Sequence, residues 1–237
     1  SILNSGDDYG KNTIGSGQNV NIEFVSANPT GPLHAAHARG AILGDVLANL
    51  MQFSGYNVTR EYYINDAGSQ ITTLSQSAFI RYREALGEAL EAIPAGLYPG
   101  DYLIDVGQYL ADNYGDSLKQ LSEDEIIEKI GPIAVDLMMQ SIRKDLARLG
   151  IVMDIYSSEN QLVKEGKVAS AIQKLQSDNL IYRGKPEPTK GKLDEDWEPR
   201  EQLLFRSKDF GDDVDRPLQK SDDSWTYFAS DVAYHYD

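Results

Sequence analysis

Apolar and polar residues alternate from Val20 to Phe24, with Val20, Ile22 and Phe24 on one side and Asn21 and Glu23 on the other. That period of two predicts a strand. Pro29, Gly31 and Pro32 then punctuate a turn, and the period lengthens. Ile42, Leu43, Val46, Leu47, Leu50 and Met51 recur at helical spacing as far as Gly55, which predicts an amphipathic helix. The stretch from Asn57 to Ile64, rich in Val, Thr and Tyr, reads as a second strand. Asn65 and Asp66 offer a cap to a helix through Ile71, Leu74, Ala78 and Tyr82 that ends near Gly87. Strand, helix, strand, helix in this order implies an α/β fold with a parallel sheet and a right-handed crossover.

The Gly/Pro-rich segment 92–100 breaks the pattern. Helices are predicted over 101–114 and 122–129, the second opened by a capping box of Ser122 with Glu125. Gly131-Pro132 is expected to interrupt, with Pro132 in the first turn of a new helix ending at Gly150. Residues 151–156 are predicted to return to the sheet as a strand, and 163–176 to be helical. Segment 184–200, with prolines at 186, 188 and 199, reads as a loop. Segments 201–207 and 225–229 read as strands around a polar connection containing GDDVDRP.

Composition narrows the function classes. A chain of 237 residues, 25% charged and 41% hydrophobic, can bury a substantial core. No apolar run approaches the roughly 18 residues that a membrane span requires, so no membrane partner is expected. Cysteine is absent, which excludes disulfides and thiolate metal sites. The net charge of −15 argues against a general nucleic-acid clamp, because phosphate contacts draw on Lys and Arg.

Two of the three histidines, His34 and His37, lie three apart at the predicted start of the first long helix. Positions i and i+3 share a helix face, so both imidazoles can reach one phosphate chain. A strand that delivers the chain to a helix N-terminus makes an anion site, since unpaired N–H groups and the helix dipole favour phosphate there. Glu23, Ser26, Asn28, Asn65 and Asp66 fall at or near the carboxyl ends of the predicted strands, where ligands of parallel sheets bind. The pair could also be half of a metal site, but no nearby third ligand has suitable spacing and no protein-bound metal is expected. Two partly exposed histidines capping a helix are the plain alternative. Tyr227 and Asp231, four apart at the entry to a last helix, place a phenol and a carboxylate on one side. The plain alternatives are a core tyrosine at a strand end and a helix-capping aspartate.

The run NIEFVSANPTGPLHAAHARG, followed by REYYINDAGSQI, DWEPREQLLFRS, GDDVDRPL and TYFASDVAYHYD, resembles bacterial arginyl-tRNA synthetase, a class I aminoacyl-tRNA synthetase. The similarity runs over nearly the whole chain, with the motifs in the family's order. It implies a Rossmann-like nucleotide-binding catalytic domain interrupted by a helical insertion and a smaller insertion of strands and loops. The implied division is an N-terminal linker (1–18), a first part of the catalytic domain (19–70), a helical insertion (71–138), the catalytic domain again (139–168), a second insertion (169–223) and an arginine-pocket segment (224–237). The family's HIGH motif corresponds to Ala27, Asn28, Pro29, Thr30, Gly31, Pro32, Leu33, His34, Ala35, Ala36 and His37. Ala36 departs from the pattern, since the family usually carries glycine there.

By the same resemblance, His34 and His37 are catalytic and bind ATP together with Gly31, Pro32, Ala36 and Gly40. Arginine is implied to lie against Glu23, Ser26, Asn28, Tyr227 and Asp231, carboxylates being the natural partners of a planar guanidinium. The implied partners are L-arginine, ATP (with Mg2+) and tRNA(Arg), the last held mostly by parts that this chain lacks, in a cytoplasmic enzyme. Family members are much longer, and the chain ends inside an apparent helix, so a catalytically incomplete fragment is expected. Two rivals remain: a HIGH-type nucleotidyltransferase, which needs no cation pocket, and a non-catalytic arginine-binding module related to synthetases.

Overall fold

In the computed structural model the described residues are 2–89, 92–187, 200–220 and 223–237. They fall into two compact units, Ser1–Ser158 and Glu159–Asp237. Most of the expected 184–200 loop lies outside the described residues.

The first unit opens with a short helix, α1 (Ile2–Ser5), followed by β1 (Asn19–Glu23), α2 (Ala35–Phe53), β2 (Asn57–Ile64), α3 (Ser69–Ala85), α4 (Tyr102–Tyr114), α5 (Glu123–Arg148) and β3 (Ile155–Ser158). Its strands form a parallel sheet in the order β1-β2-β3, with Glu23 opposite Glu61 and Glu61 opposite Ile155. Strand β3 starts four residues later than the sequence suggests, because Ile151 and Met153 pack into the core ahead of it.

Helix α2 forms where the apolar periodicity places it, but it buries a different face. Ala41, Gly44 and Ala48 are its buried residues, while Ile42, Leu43, Val46, Leu47 and Leu50 are all exposed. The reason is the close approach of helix to strand. A Cβ built on Gly44 would lie 2.3 Å from the ring of Phe24, so only small side chains fit this seam. Arg60 of β2 fastens the helix with bonds to Asp45 (3.1 Å), Asn49 (2.7 Å) and Gln52 (3.1 Å).

Two glycines of α2 should therefore respond oppositely to alanine. At Gly40 a Cβ meets nothing within 4 Å, so Gly40→Ala should gain the helix-propensity difference, about 1 kcal/mol. At Gly44 the same gain is opposed by overpacking, about 1–3 kcal/mol, and three Phe24 atoms under 3.0 Å put this site at the costly end. Urea unfolding should raise the midpoint for Gly40→Ala and lower it for Gly44→Ala.

The break expected at Gly131-Pro132 does not occur. Helix α5 runs unbroken from Glu123 to Arg148 with Pro132 inside it, opened by the Ser122–Glu125 capping box. An interior proline costs about 3 kcal/mol, but both halves of α5 are held by tertiary packing. Ile126, Ile130 and Ala134 sit in a cluster with Leu74, Tyr82, Leu103 and Leu110 of α3 and α4. Met139, Ile142 and Leu146 pack with Phe24, Tyr62 and Ile64 on the sheet. Gly131 fits because a Cβ there would stand 2.7 Å from Ser75 Oγ of α3. One rigid rod thus ties the helical cluster to the sheet, and position 138 lies in its interior.

The second unit contains α6 (Glu159–Lys164), α7 (Lys167–Ser177), β4 (Ile181–Gly184), β5 (Gln202–Phe205), β6 (Arg216–Gln219) and α8 (Tyr227–Tyr236). The helix expected over 163–176 is divided at Gly166, which adopts a left-handed conformation (φ 72°). The strands pair antiparallel as β4-β5-β6. Neither β4 nor β6 is foreseen from the sequence, and β6 carries Pro217, tolerated because β6 is an edge strand. The strand expected over 225–229 is instead a single bridge from Trp225 to Gln219 followed by α8. Leu218, Ala229 and Ala233 pack against Val168, Ala171 and Ile172 to form the core.

Candidate functional site

The chain leaves β1 through an unusual turn. Val25 (φ 70°) and Ser26 (φ 38°) are consecutive non-glycine residues with left-handed backbones, a region that is costly for a β-branched side chain. The Ser26 N–H returns to the Phe24 carbonyl at 3.0 Å. The Ser26 hydroxyl receives the Tyr63 N–H of β2 (3.0 Å) and donates to the Glu23 carboxylate. Ser26 thus orients Glu23 at the carboxyl end of the sheet. Beside it, the buried Glu61 of β2 accepts from Asn21 of β1 and Ser157 of β3, linking all three strands.

Three groups then fix the loop between Ala27 and Pro32. The Tyr62 phenol, buried and so held well above the usual tyrosine range, donates to the Ala27 carbonyl at 2.7 Å. The Asn28 side chain donates to Gln70 at the start of α3 (2.8 Å). The Tyr102 hydroxyl of α4 donates to the Thr30 carbonyl at 2.7 Å. Pro29 is buried, and a Cβ on Gly31 would come within 3.3 Å of the Tyr102 ring. Tyr62 and Gln70 lie within the run REYYINDAGSQI, which gives neither a role, and Tyr102 lies in no motif; each acts through a partner distant in the chain.

The loop delivers His34 as the N-cap of α2 and His37 into its first turn. Their rings stack at 3.7 Å between centroids and 24° between planes. The His34 N–H points at His37 Nδ1 at 3.4 Å, which leaves the His37 Nε2–H as the outward donor of the neutral ring. Partial burial, with the neighbouring His34 as the second cause, lowers the His37 pKa. No acidic residue stands in the first turn of α2, so nothing there offsets its positive end. Ala36 is exposed and Gly40 faces open space. The two rings also form a capping box, His34 accepting from the His37 N–H and His37 from the His34 N–H; two imidazoles at a helix N-terminus on a pinned loop are suited to binding a phosphate chain.

In the second unit Thr226 is the N-cap of α8: its hydroxyl receives the Ala229 N–H at 3.3 Å and donates to the Pro217 carbonyl at 2.7 Å. Asp231 is therefore not the cap, and Tyr227 is not a strand residue. Tyr227 is 37% exposed, Asp231 is exposed one turn further on, and their spacing puts them on one face. Among the described residues no group of three or more His, Asp or Glu is arranged to hold a metal ion, and no helix is long and apolar enough to cross a membrane.

The sequence profile of class I (R) tRNA synthetase catalytic domains matches residues 1–236. The chain is 60% identical over 236 residues to an arginine–tRNA ligase of Cereibacter sphaeroides, covering 100% of the chain and 40% of that protein. It is 56% identical over 238 residues to the arginine–tRNA ligase of Rhizobium meliloti, covering 41% of it. A crystal structure from Campylobacter jejuni, assigned as an arginyl-tRNA synthetase, superposes with a TM-score of 0.80 at 30% identity, over 99% of this chain and 47% of that one. The Thermus thermophilus arginyl-tRNA synthetase shares the fold, with a TM-score of 0.63 at 20% identity over 92% of this chain and 35% of its own. The chain thus spans about 40% of the length of the curated relatives it matches.

Proposed function

Because this chain belongs to the family of class I (R) tRNA synthetase catalytic domains, we propose that it supplies the ATP- and arginine-handling part of a cytoplasmic arginine–tRNA ligase. The observation that carries this reading is the stacked His34–His37 pair on a pinned loop at an uncompensated helix N-terminus. Identity of 60% to an arginine–tRNA ligase supplies the amino acid.

A carboxylate oxygen of arginine attacks the α-phosphorus of ATP in line. The bond from that phosphorus to the α,β-bridging oxygen breaks, giving arginyl-adenylate and pyrophosphate. A hydroxyl of the terminal adenosine of tRNA(Arg) then attacks the arginyl carbonyl, and AMP leaves. No protein nucleophile takes part, so the chain works by positioning and by stabilising charge as it develops. His34 and His37 donate to the phosphate oxygens, and Gly31, Pro32, Ala36 and Gly40 form the backbone surface beside them. Mg2+ enters with ATP as part of the substrate. Glu23, Tyr227 and Asp231 receive the guanidinium, while Ser26 and Asn28 hold the α-amino and α-carboxylate groups. The net charge of −15 suits a cationic substrate, and tRNA is gripped mainly by other parts of the protein.

The test is a charging assay on the full reading frame in which this sequence occurs, run with each of the twenty amino acids. Arginine should be transferred to tRNA in an ATP-dependent reaction. Charging by a different amino acid, or by none, overturns the reading.

A further inference from the structure

Tyr102 stands outside every motif that pointed to the site, in the helical cluster of α3, α4 and α5, yet it reaches the loop that delivers the histidines. Its hydroxyl donates to the Thr30 carbonyl at 2.7 Å. Its ring lies against Gly31, where an added Cβ would come within 3.3 Å, and against Gly100, where one would come within 2.1 Å. Two glycines thus make room for one aromatic ring. Burial raises the Tyr102 pKa, keeping the phenol a protonated donor at neutral pH. Behind Pro32 lies a cavity of about 270 Å³ between α4 and α5, with Leu137, Met138 and Lys144 on its far wall. The loop is therefore not wedged in place by close packing at Pro32. The Tyr102–Thr30 bond ties it to α4, as the Asn28–Gln70 bond ties it to α3.

We propose that Tyr102 is a positioning residue for the phosphate-binding loop, through which the helical cluster sets the placement of His34 and His37. The role of those histidines rests on the function proposed above, but the mechanical link from Tyr102 to their rings does not. A loop held by three side-chain hydrogen bonds beside a cavity has room to move when one of them is lost, and misplacement of even 1 Å can cost about a hundredfold in rate. Losing one tie among several should cost less, roughly three- to tenfold, the worth of a single hydrogen bond.

Tyr102→Phe tests this, since it keeps the ring seated against Gly31 and Gly100 and removes only the donor. In the 237-residue chain the imidazole NMR signals of His34 and His37 should both shift, while that of His235 stays in place. In the full-length protein, kcat for arginine-dependent ATP–pyrophosphate exchange should fall about three- to tenfold, with the arginine KM within twofold. In a His37→Ala background the same substitution should have less effect, because a residue acting through the histidines cannot cost their contribution twice. Unmoved imidazole signals, or an equal loss with and without His37, would overturn the proposal. Shifted signals in a protein that activates no arginine would leave the mechanical link standing and overturn the function instead.

Discussion

His34→Ala and His37→Ala, each made in the full-length protein, should lower kcat for arginyl-adenylate formation by about 10²–10³ while moving the KM for ATP much less. The magnitude is that of losing one preorganised donor to charge that develops in the transition state, and the split follows because such a donor binds the ground state weakly. The stacked rings add a second expectation. At 3.7 Å each ring is a wall of the other's site, and His37 Nδ1 also receives the His34 N–H. The double variant should therefore fall short of the product of the single losses. His37 carries a lowered pKa, so its neutral form persists below its ordinary midpoint, and any change in rate from His37 titration should be centred at a lower pH than that of an ordinary histidine. Unchanged kcat in both single variants would reduce the pair to a helix cap.

Asp231→Asn should raise the arginine KM by more than tenfold and leave the ATP KM nearly unchanged. The swap keeps the shape but turns an acceptor oxygen into an NH2 group facing guanidinium donors. Asp231 is exposed in the free chain, and once bound arginine covers it, breaking the charge pair costs about 2–5 kcal/mol. Loss of a helix cap cannot produce the same result, because Thr226 caps α8. An arginine KM within twofold of wild type would remove Asp231 from the arginine pocket.

The sequence revealed most where local chemistry and long-range packing agree. Alternation in β1 and the i, i+3 spacing of the histidines need only neighbouring residues, and both appear as read. Helix α2 shows the limit: its large apolar residues marked a helix correctly but pointed to the wrong inner face. The seam against Phe24 admits only Ala41, Gly44 and Ala48, which look unremarkable in a hydrophobicity pattern. Pro132 is the converse case, a strong local breaker overruled by packing at both ends of α5. Strands β4 and β6 have four residues each, too few to show a period. Around the site, the ties from Tyr62, Gln70 and Tyr102 span 35, 42 and 72 residues of chain, so no local window contains both partners.

The left-handed turn at Val25 and Ser26 sets resistance to heat against precision in this chain. Each residue held there stores about 1–3 kcal/mol of backbone strain. Glycine at 25 would release it and remain compatible with the fold. The same glycine would widen the range of paths open to the chain after β1, and with it the spread of Glu23 and Ser26 positions. Selection for thermal resistance alone would favour that exchange, whereas selection for turnover would resist it. A valine at such a backbone angle is thus a place where the molecule gives up stability to keep one conformation.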